Sequence, residues 1–146
     1  MSAFTELAAY PVVIELPVFW GDQDAFGHAN NAVYFRWLES ARIAYLERVA
    51  MAEKRAADAI GPILAAITCN YRRQVKYPDT MVVGTRITRI GRTSLTMDQQ
   101  IWSCSHRALV ADSGSTVVIF DYQVERSSPV PAALRDAISQ LEGQSL

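Results

Sequence analysis

Val12, Ile14, Leu16, Val18 and Trp20 alternate with Val13, Glu15, Pro17 and Phe19, the period of a strand. Pro17 lacks an N–H, which assigns that strand to a sheet edge. The period then changes. Between Asn31 and Ala50 there is no Gly or Pro, and Tyr34, Leu38, Ala41, Tyr45 and Val49 recur at helical steps, widened by Trp37 and Ala44. Arg36, Glu39 and Glu47 leave only a narrow polar side, which Ile43 interrupts. Such a helix is largely enclosed by other structure, and at ~1.5 Å per residue it spans roughly 30 Å. Met51 to Ile60 reads as a continuation or a second short helix, stopped by Gly61-Pro62.

Only strands follow until the C-terminus. Ile63, Ala65, Ile67, Cys69 and Tyr71 alternate with Leu64, Ala66, Thr68, Asn70 and Arg72; Met81 to Ile90, Leu95 to Trp102 and Ala108 to Val124 read likewise. Turns are expected at Tyr77-Pro78-Asp79, Gly91-Arg92-Thr93 and Ser105-His106-Arg107, and a bulge at Asp112-Ser113-Gly114. Val117 to Phe120 is apolar at every position, as in a strand covered on both faces. Pro131 opens a last helix with Leu134, Ile138 and Leu141 on one face. Five strands and one long apolar helix predict an α+β domain in which a curled antiparallel sheet wraps the helix. Its open edges ask for a partner subunit, and the segment from Pro62 to Lys76 is the expected pairing edge.

The 146 residues suit a single domain over 1–146, and half of them are hydrophobic, enough for a core without metal or disulfide. A net charge of −1 gives no reason to expect a nucleic-acid partner. No apolar run approaches a membrane span, and Met1 to Tyr10 does not read as a signal peptide. Cys69 and Cys104 stand apart without metal spacing, as small core or strand residues of a reduced, cytoplasmic protein do.

Polar chemistry concentrates in Asp22-Gln23-Asp24-Ala25-Phe26-Gly27-His28-Ala29-Asn30-Asn31, between the first strand and the long helix. A loop there aims side chains into a cleft beside the unpaired N–H groups of a helix start. Asp24 suits either a turn-forming aspartate or a carboxylate that activates water or attacks a carbonyl. Asn30 or Asn31 caps the helix, and the free N–H groups with the positive dipole end can polarise a carbonyl oxygen. His28 invites pairing with Asp24, while no Ser or Cys in the loop makes a triad; it stands either as a catalytic partner of Asp24 or as a residue that holds the loop or lines the pocket. Asp22, Asp24 and His28 are too few to specify a metal site, and Asp22 reads as a loop hydrogen-bonding residue. Glu39 and Arg42 are spaced for an ion pair.

The run from Gly21 to Tyr34, followed by Glu39-Ser40-Ala41-Arg42, resembles the hotdog-fold acyl-CoA thioesterases, in particular the 4-hydroxybenzoyl-CoA thioesterase-like group. Tyr77-Pro78-Asp79, Gly91-Arg92-Thr93-Ser94 and Val130-Pro131 fit the same pattern, so the resemblance extends from about Val12 to Leu134. It implies thioester hydrolysis without metal or organic cofactor, in a homodimer or homotetramer with sites at the subunit interface. Asp24 then becomes the catalytic carboxylate, with the backbone donor at or near Asn31 and His28 as a site residue. Gly27 and Tyr34 of the motif, with Arg89 and Arg92 around the hairpin turn, are assigned to the acyl-CoA substrate; arginine suits its phosphates. The rival enzymatic reading, a hotdog hydratase or dehydratase, calls for Asp-x-Asn-Pro-x-His, which this loop lacks. A non-catalytic acyl or CoA binding module is the rival from another class.

Overall fold

The computed structural model describes residues 4–51 and 59–146. After a short 3-10 turn at Thr5–Leu7, the chain forms β1 (Val12–Pro17), α1 (Asn31–Arg48), β2 (Ile60–Tyr71), β3 (Thr80–Ile90), β4 (Ser94–Ser103), β5 (Ala108–Asp121), the two-residue β6 (Arg126–Ser127) and α2 (Ala132–Glu142). Five strands make one antiparallel sheet in the order β1-β3-β4-β5-β2. β6 adds to β5 beyond the end of β4.

The sheet curls around α1, as the hotdog architecture requires. Toward the helix N-terminus, Tyr34, Trp37, Leu38 and Ala41 pack on Met81, Val83, Ile101 and Val110. Toward its C-terminus, Tyr45 and Val49 pack on Ile87, Leu95, Met97, Val117 and Ile119, and Leu134 and Ile138 of α2 close that end. Glu142 fastens α2 there: one carboxylate oxygen accepts from the Tyr45 hydroxyl at 2.6 Å and from Ile87 N–H at 2.7 Å. The outer face is covered by Phe4, Leu7 and Tyr10 lying on Val82. There Gly84 faces Leu7 and Tyr10 so closely that a Cβ would stand 2.7 Å from Leu7 Cδ2 and 2.9 Å from Tyr10 Cγ.

Several boundaries differ from the sequence expectation. β1 stops at Pro17, and Trp20–Asp22 turn as a 3-10 segment instead of continuing the strand. Gly61 and Pro62 pair with Phe120 and Ile119 inside β2, where an edge strand tolerates a missing N–H. The expected continuation of the helix after Met51 falls largely on 52–58, outside the described residues. The segment Asp112-Ser113-Gly114 is in regular register on both sides. The register slips instead between Leu64 and Ala66, between Ile87 and Arg89, and at Val110 opposite Ile101/Trp102. β5 ends at Asp121, before a turn leads to β6. Val117 and Ile119 are fully buried, whereas Val118 and Phe120 on the other face are half-buried. Pro131 stands one residue before α2 as its N-cap. Cys69 lies in β2, but Cys104 is exposed in the turn after β4; both are free thiols.

Candidate active site

The loop before α1 is fastened at both ends by backbone. Asp22 C=O accepts from Asn30 N–H at 3.0 Å, His28 C=O from Asp24 N–H at 2.9 Å, and Val75 C=O from Ala29 N–H at 2.7 Å. Gln23 and Ala29 also face each other as a bridge, so residues 23–29 form a small hairpin with Gly27 at its tip. Gly27 has φ +82°, a conformation that side chains rarely adopt. Asp22 is the buried anchor. Its carboxylate accepts from Phe19 N–H at 2.8 Å and pairs with the Arg36 guanidinium one helical turn into α1.

Asp24 is half-buried beside the start of α1. One oxygen accepts from Phe26 N–H at 2.9 Å, the turn-forming bond of an aspartate. The other is 3.5 Å from the Asn30 amide nitrogen. Asn30, not Asn31, is the cap: its side chain accepts from Ala32 N–H at 2.9 Å. Asn31 opens the helix with its N–H unpaired, one of the first-turn donors that a helix leaves free.

A cleft of about 300 Å³ opens at this helix end, lined by His28, Ala29, Asn31, Tyr34, Tyr71, Arg72, Arg73 and Gln74. Tyr71 donates its hydroxyl to Asn31 C=O at 3.2 Å, and Tyr34 donates to Arg73 C=O at 3.1 Å. The two rings meet edge to face at 4.9 Å. Burial pushes the Tyr34 phenol up to about 12 and raises the Tyr71 phenol and the Cys69 thiol, so these groups stay protonated and do not act as bases. The Arg72 guanidinium is held by Asp112 at 2.7 Å and, more than any other cause, keeps that carboxyl below its usual range. The neighbouring Arg73 side chain is exposed and has no hydrogen-bond or ion-pair partner among the described residues.

The expected site residues are thus brought together in part. His28, Asn31 and Tyr34 share the cleft; Asp24 stands next to it, tied to His28 through the backbone, and no side-chain bond joins the two. Gly27 is an exposed turn residue that does not line the cleft, and Tyr34 is buried and braces its wall. Arg89 and Arg92 lie at the far end of β3 from the loop, whose contacts are with Val75, Tyr77 and Asp79 ahead of that strand. At ~3.3 Å per residue the strand puts roughly 30 Å between them, so within one chain those arginines lie away from this cleft. Arg73, which is not among the residues the sequence assigns to the substrate, lines the cleft with its side chain unpaired among the described residues. Glu39 is exposed, 4.0 Å from the buried Arg42, and lies outside the cleft. Among the described residues no group of three or more His, Cys, Asp or Glu is placed to hold a metal ion, and no helix is long and apolar enough to cross a membrane.

Comparison with known proteins bears on this geometry. The family model of a thioesterase-like superfamily matches residues 18–138. The chain is 27% identical over 118 residues to the long-chain acyl-CoA thioesterase FadM of Escherichia coli, covering 81% of this chain and 89% of that protein. Its fold superposes on a Thermus thermophilus thioesterase complexed with coenzyme A and Zn, with a TM-score of 0.82 and 29% identity, over 95% of this chain and 99% of the other. The PA2801 protein of Pseudomonas aeruginosa is similar at TM-score 0.80 and 32% identity, over 88% and 98% of the two chains.

Proposed function

The chain belongs to the thioesterase-like superfamily and is a thioester hydrolase, and from that premise we propose that it cleaves acyl-CoA to free acid and CoA, with the Asp24 carboxylate driving the attack and the first turn of α1 holding the carbonyl oxygen. The observation that carries this reading is the pairing of a half-buried carboxylate, one oxygen lightly engaged, with an unpaired N–H at Asn31 beside a cleft. Two routes use these groups. As a base, Asp24 takes a proton from water while the water oxygen bonds to the thioester carbon. As a nucleophile, an Asp24 oxygen bonds to that carbon, and water later opens the mixed anhydride. In both, negative charge builds on the carbonyl oxygen, where Asn31 N–H and the helix dipole stabilise it. The C–S bond then breaks, and the CoA thiolate leaves to take up a proton. His28 lines the cleft and supports the loop through its bond to Asp24 N–H.

The same residues need neither metal nor organic cofactor for this chemistry. In one subunit the CoA arm finds Arg73 and Lys76 at the cleft end of the sheet; Arg89 and Arg92 serve it only from a second subunit. The edge strand β2 supports such an assembly, because it is paired on one side only and exposes Ile60, Ile63, Leu64 and Tyr71. We therefore expect a cytoplasmic homodimer or homotetramer, and a mass of one 16.2 kDa chain in light scattering would refute it.

Asp24→Asn tests the central assignment. It keeps the size of the side chain but cannot take up a proton or attack as a carboxylate, so kcat for thiol release should fall by ~10² to 10⁴ while substrate still binds. Single turnover in ¹⁸O-water separates the routes: label found only in the acyl product supports the base, and label first found in Asp24 supports the anhydride. Wild-type turnover by Asp24→Asn would remove Asp24 from the reaction.

A further inference from the structure

Beneath α1 the core contains polar atoms that have no hydrogen-bond partner among the described residues. Gln99 of β4 donates from its amide to Leu38 C=O and to Thr85 Oγ1, each at 3.0 Å, but its carbonyl oxygen accepts nothing. Ser113 stands directly opposite Gln99 in the register, and Ser115 is opposite Met97. Both serines are buried on the face turned toward the helix, and both hydroxyls lack partners. Nη1 of Arg42, whose residue is 7% exposed, is equally unpaired.

Strand register and helical periodicity put these residues at neighbouring levels along α1. Leu38 sits over Gln99. Ala44 and Arg48 form the flank of α1 that faces β1. Arg42, two residues from Ala44, projects from the opposite flank, toward β5, one turn beyond Leu38. Ser115 lies one strand repeat beyond Ser113 in the same direction. Buried donors and acceptors are almost always matched, so these atoms call for partners that the described residues do not supply. Arg42 can only donate and Gln99 Oε1 can only accept, whereas a hydroxyl does both.

Strand β2 runs from the cleft to the level of these serines. Tyr71 lines the cleft, and Cys69 and Ile67 follow at every second position of β2, half-buried, in register with Ser113 and Ser115. The serines therefore stand about 7 and 13 Å along the strand from the level of Tyr71, farther than one aromatic ring reaches from a thioester at Asn31. We propose that an aliphatic acyl chain runs along Tyr71, Cys69 and Ile67 beneath α1, and that the preferred substrates carry a hydroxyl on that chain, received by Ser113, Ser115 and Arg42. This inference rests on the acyl-CoA reading and deepens it.

The test uses matched straight-chain acyl-CoA pairs with and without one hydroxyl, its position walked outward from carbon 3. For at least one position, wild type should favour the hydroxylated ester by about tenfold or more in kcat/KM, because a site built to hydrogen-bond a hydroxyl discriminates against its absence. The ratio should collapse toward one in Ser113→Ala, Ser115→Ala and Arg42→Met, each confirmed folded by its melting curve. If Arg42→Met does not fold, the serine variants decide. No preference at any position, or a preference unchanged in the serine variants, overturns the inference and assigns the orphan atoms to ordered water. If no ester is hydrolysed, the acyl-CoA hydrolase reading fails separately. Calorimetric binding of non-hydrolysable thioether analogues of the same pairs then decides the hydroxyl preference, and equal affinity within every pair overturns it.

Discussion

Replacing Asp22 by alanine separates the two acids of the loop. Asp22 is 5% exposed, accepts from Phe19 N–H at 2.8 Å and pairs with Arg36. Losing a hydrogen bond to a charged acceptor costs ~1.5–3 kcal/mol. The Arg36 side chain is 54% exposed, so solvent screens that pair, and it adds only about 0.5 kcal/mol. For a chain of this size a loss of ~2–3.5 kcal/mol lowers Tm by roughly 6–12 °C. The backbone bond from Asn30 N–H to Asp22 C=O survives the substitution, so Asp24 keeps its place in molecules that remain folded, and their kcat should fall less than about tenfold. Asp24→Asn should show the reverse: Tm within about 2 °C of wild type, as for a mild loop substitution, with turnover nearly lost. Circular dichroism melting and thiol release on the same preparations measure both quantities. If Asp22→Ala melts with wild type, the buried anchor is not what holds the loop. If it loses turnover as severely as Asp24→Asn while still folded, the two acids act as one unit.

Arg73→Ala should raise KM for acyl-CoA while leaving kcat nearly unchanged, because a phosphate contact far from the carbonyl binds ground and transition states alike; equal loss with an acyl-pantetheine substrate would remove Arg73 from the CoA arm. Arg92→Ala should do the same only in the assembled oligomer, and an effect in a monomeric variant would contradict the distance within one subunit. Burial holds the Tyr34 and Tyr10 phenols up at about 12, helped at Tyr10 by Asp98, whereas an unfolded tyrosine titrates near 10. Their stabilisation is therefore complete below about pH 10 and is lost between about pH 10 and 12. Urea midpoints should fall across that window and fall less in Tyr34→Phe, and a constant midpoint would refute the assignment. Gly84→Ala should destabilise by about 1–3 kcal/mol through crowding of Leu7 and Tyr10, read as a lower urea midpoint; an unchanged midpoint would show that the N-terminal segment yields without cost. Thiol release should survive exhaustive chelation, and loss of activity rescued by one divalent ion would overturn the metal-free mechanism.

The sequence by itself determined the elements and the location of the chemistry. Alternating and helical spacings are local properties, so the strands, the enclosed helix from Asn31 and the loop carrying Asp24, His28 and Asn31 were all legible along the chain. The tertiary structure decided what those residues face. β2, expected as an edge from the run Pro62 to Lys76, is one because it pairs with β5, not with β3 that follows it; no local pattern encodes which distant strand it joins. That pairing brings Tyr71 and Arg73 to the helix start and carries Arg89 and Arg92 to the far end of the sheet. Asp22 reads along the chain as a loop acid and Arg36 as a solvated helix cation, and only folding the loop back onto α1 pairs them and buries Asp22 as the anchor. Arg42 sits in a row of charged positions, yet in the folded chain it is buried, as are Ser113 and Ser115. Burial depends on what a distant strand contributes, and the periodicity of one segment carries no record of that.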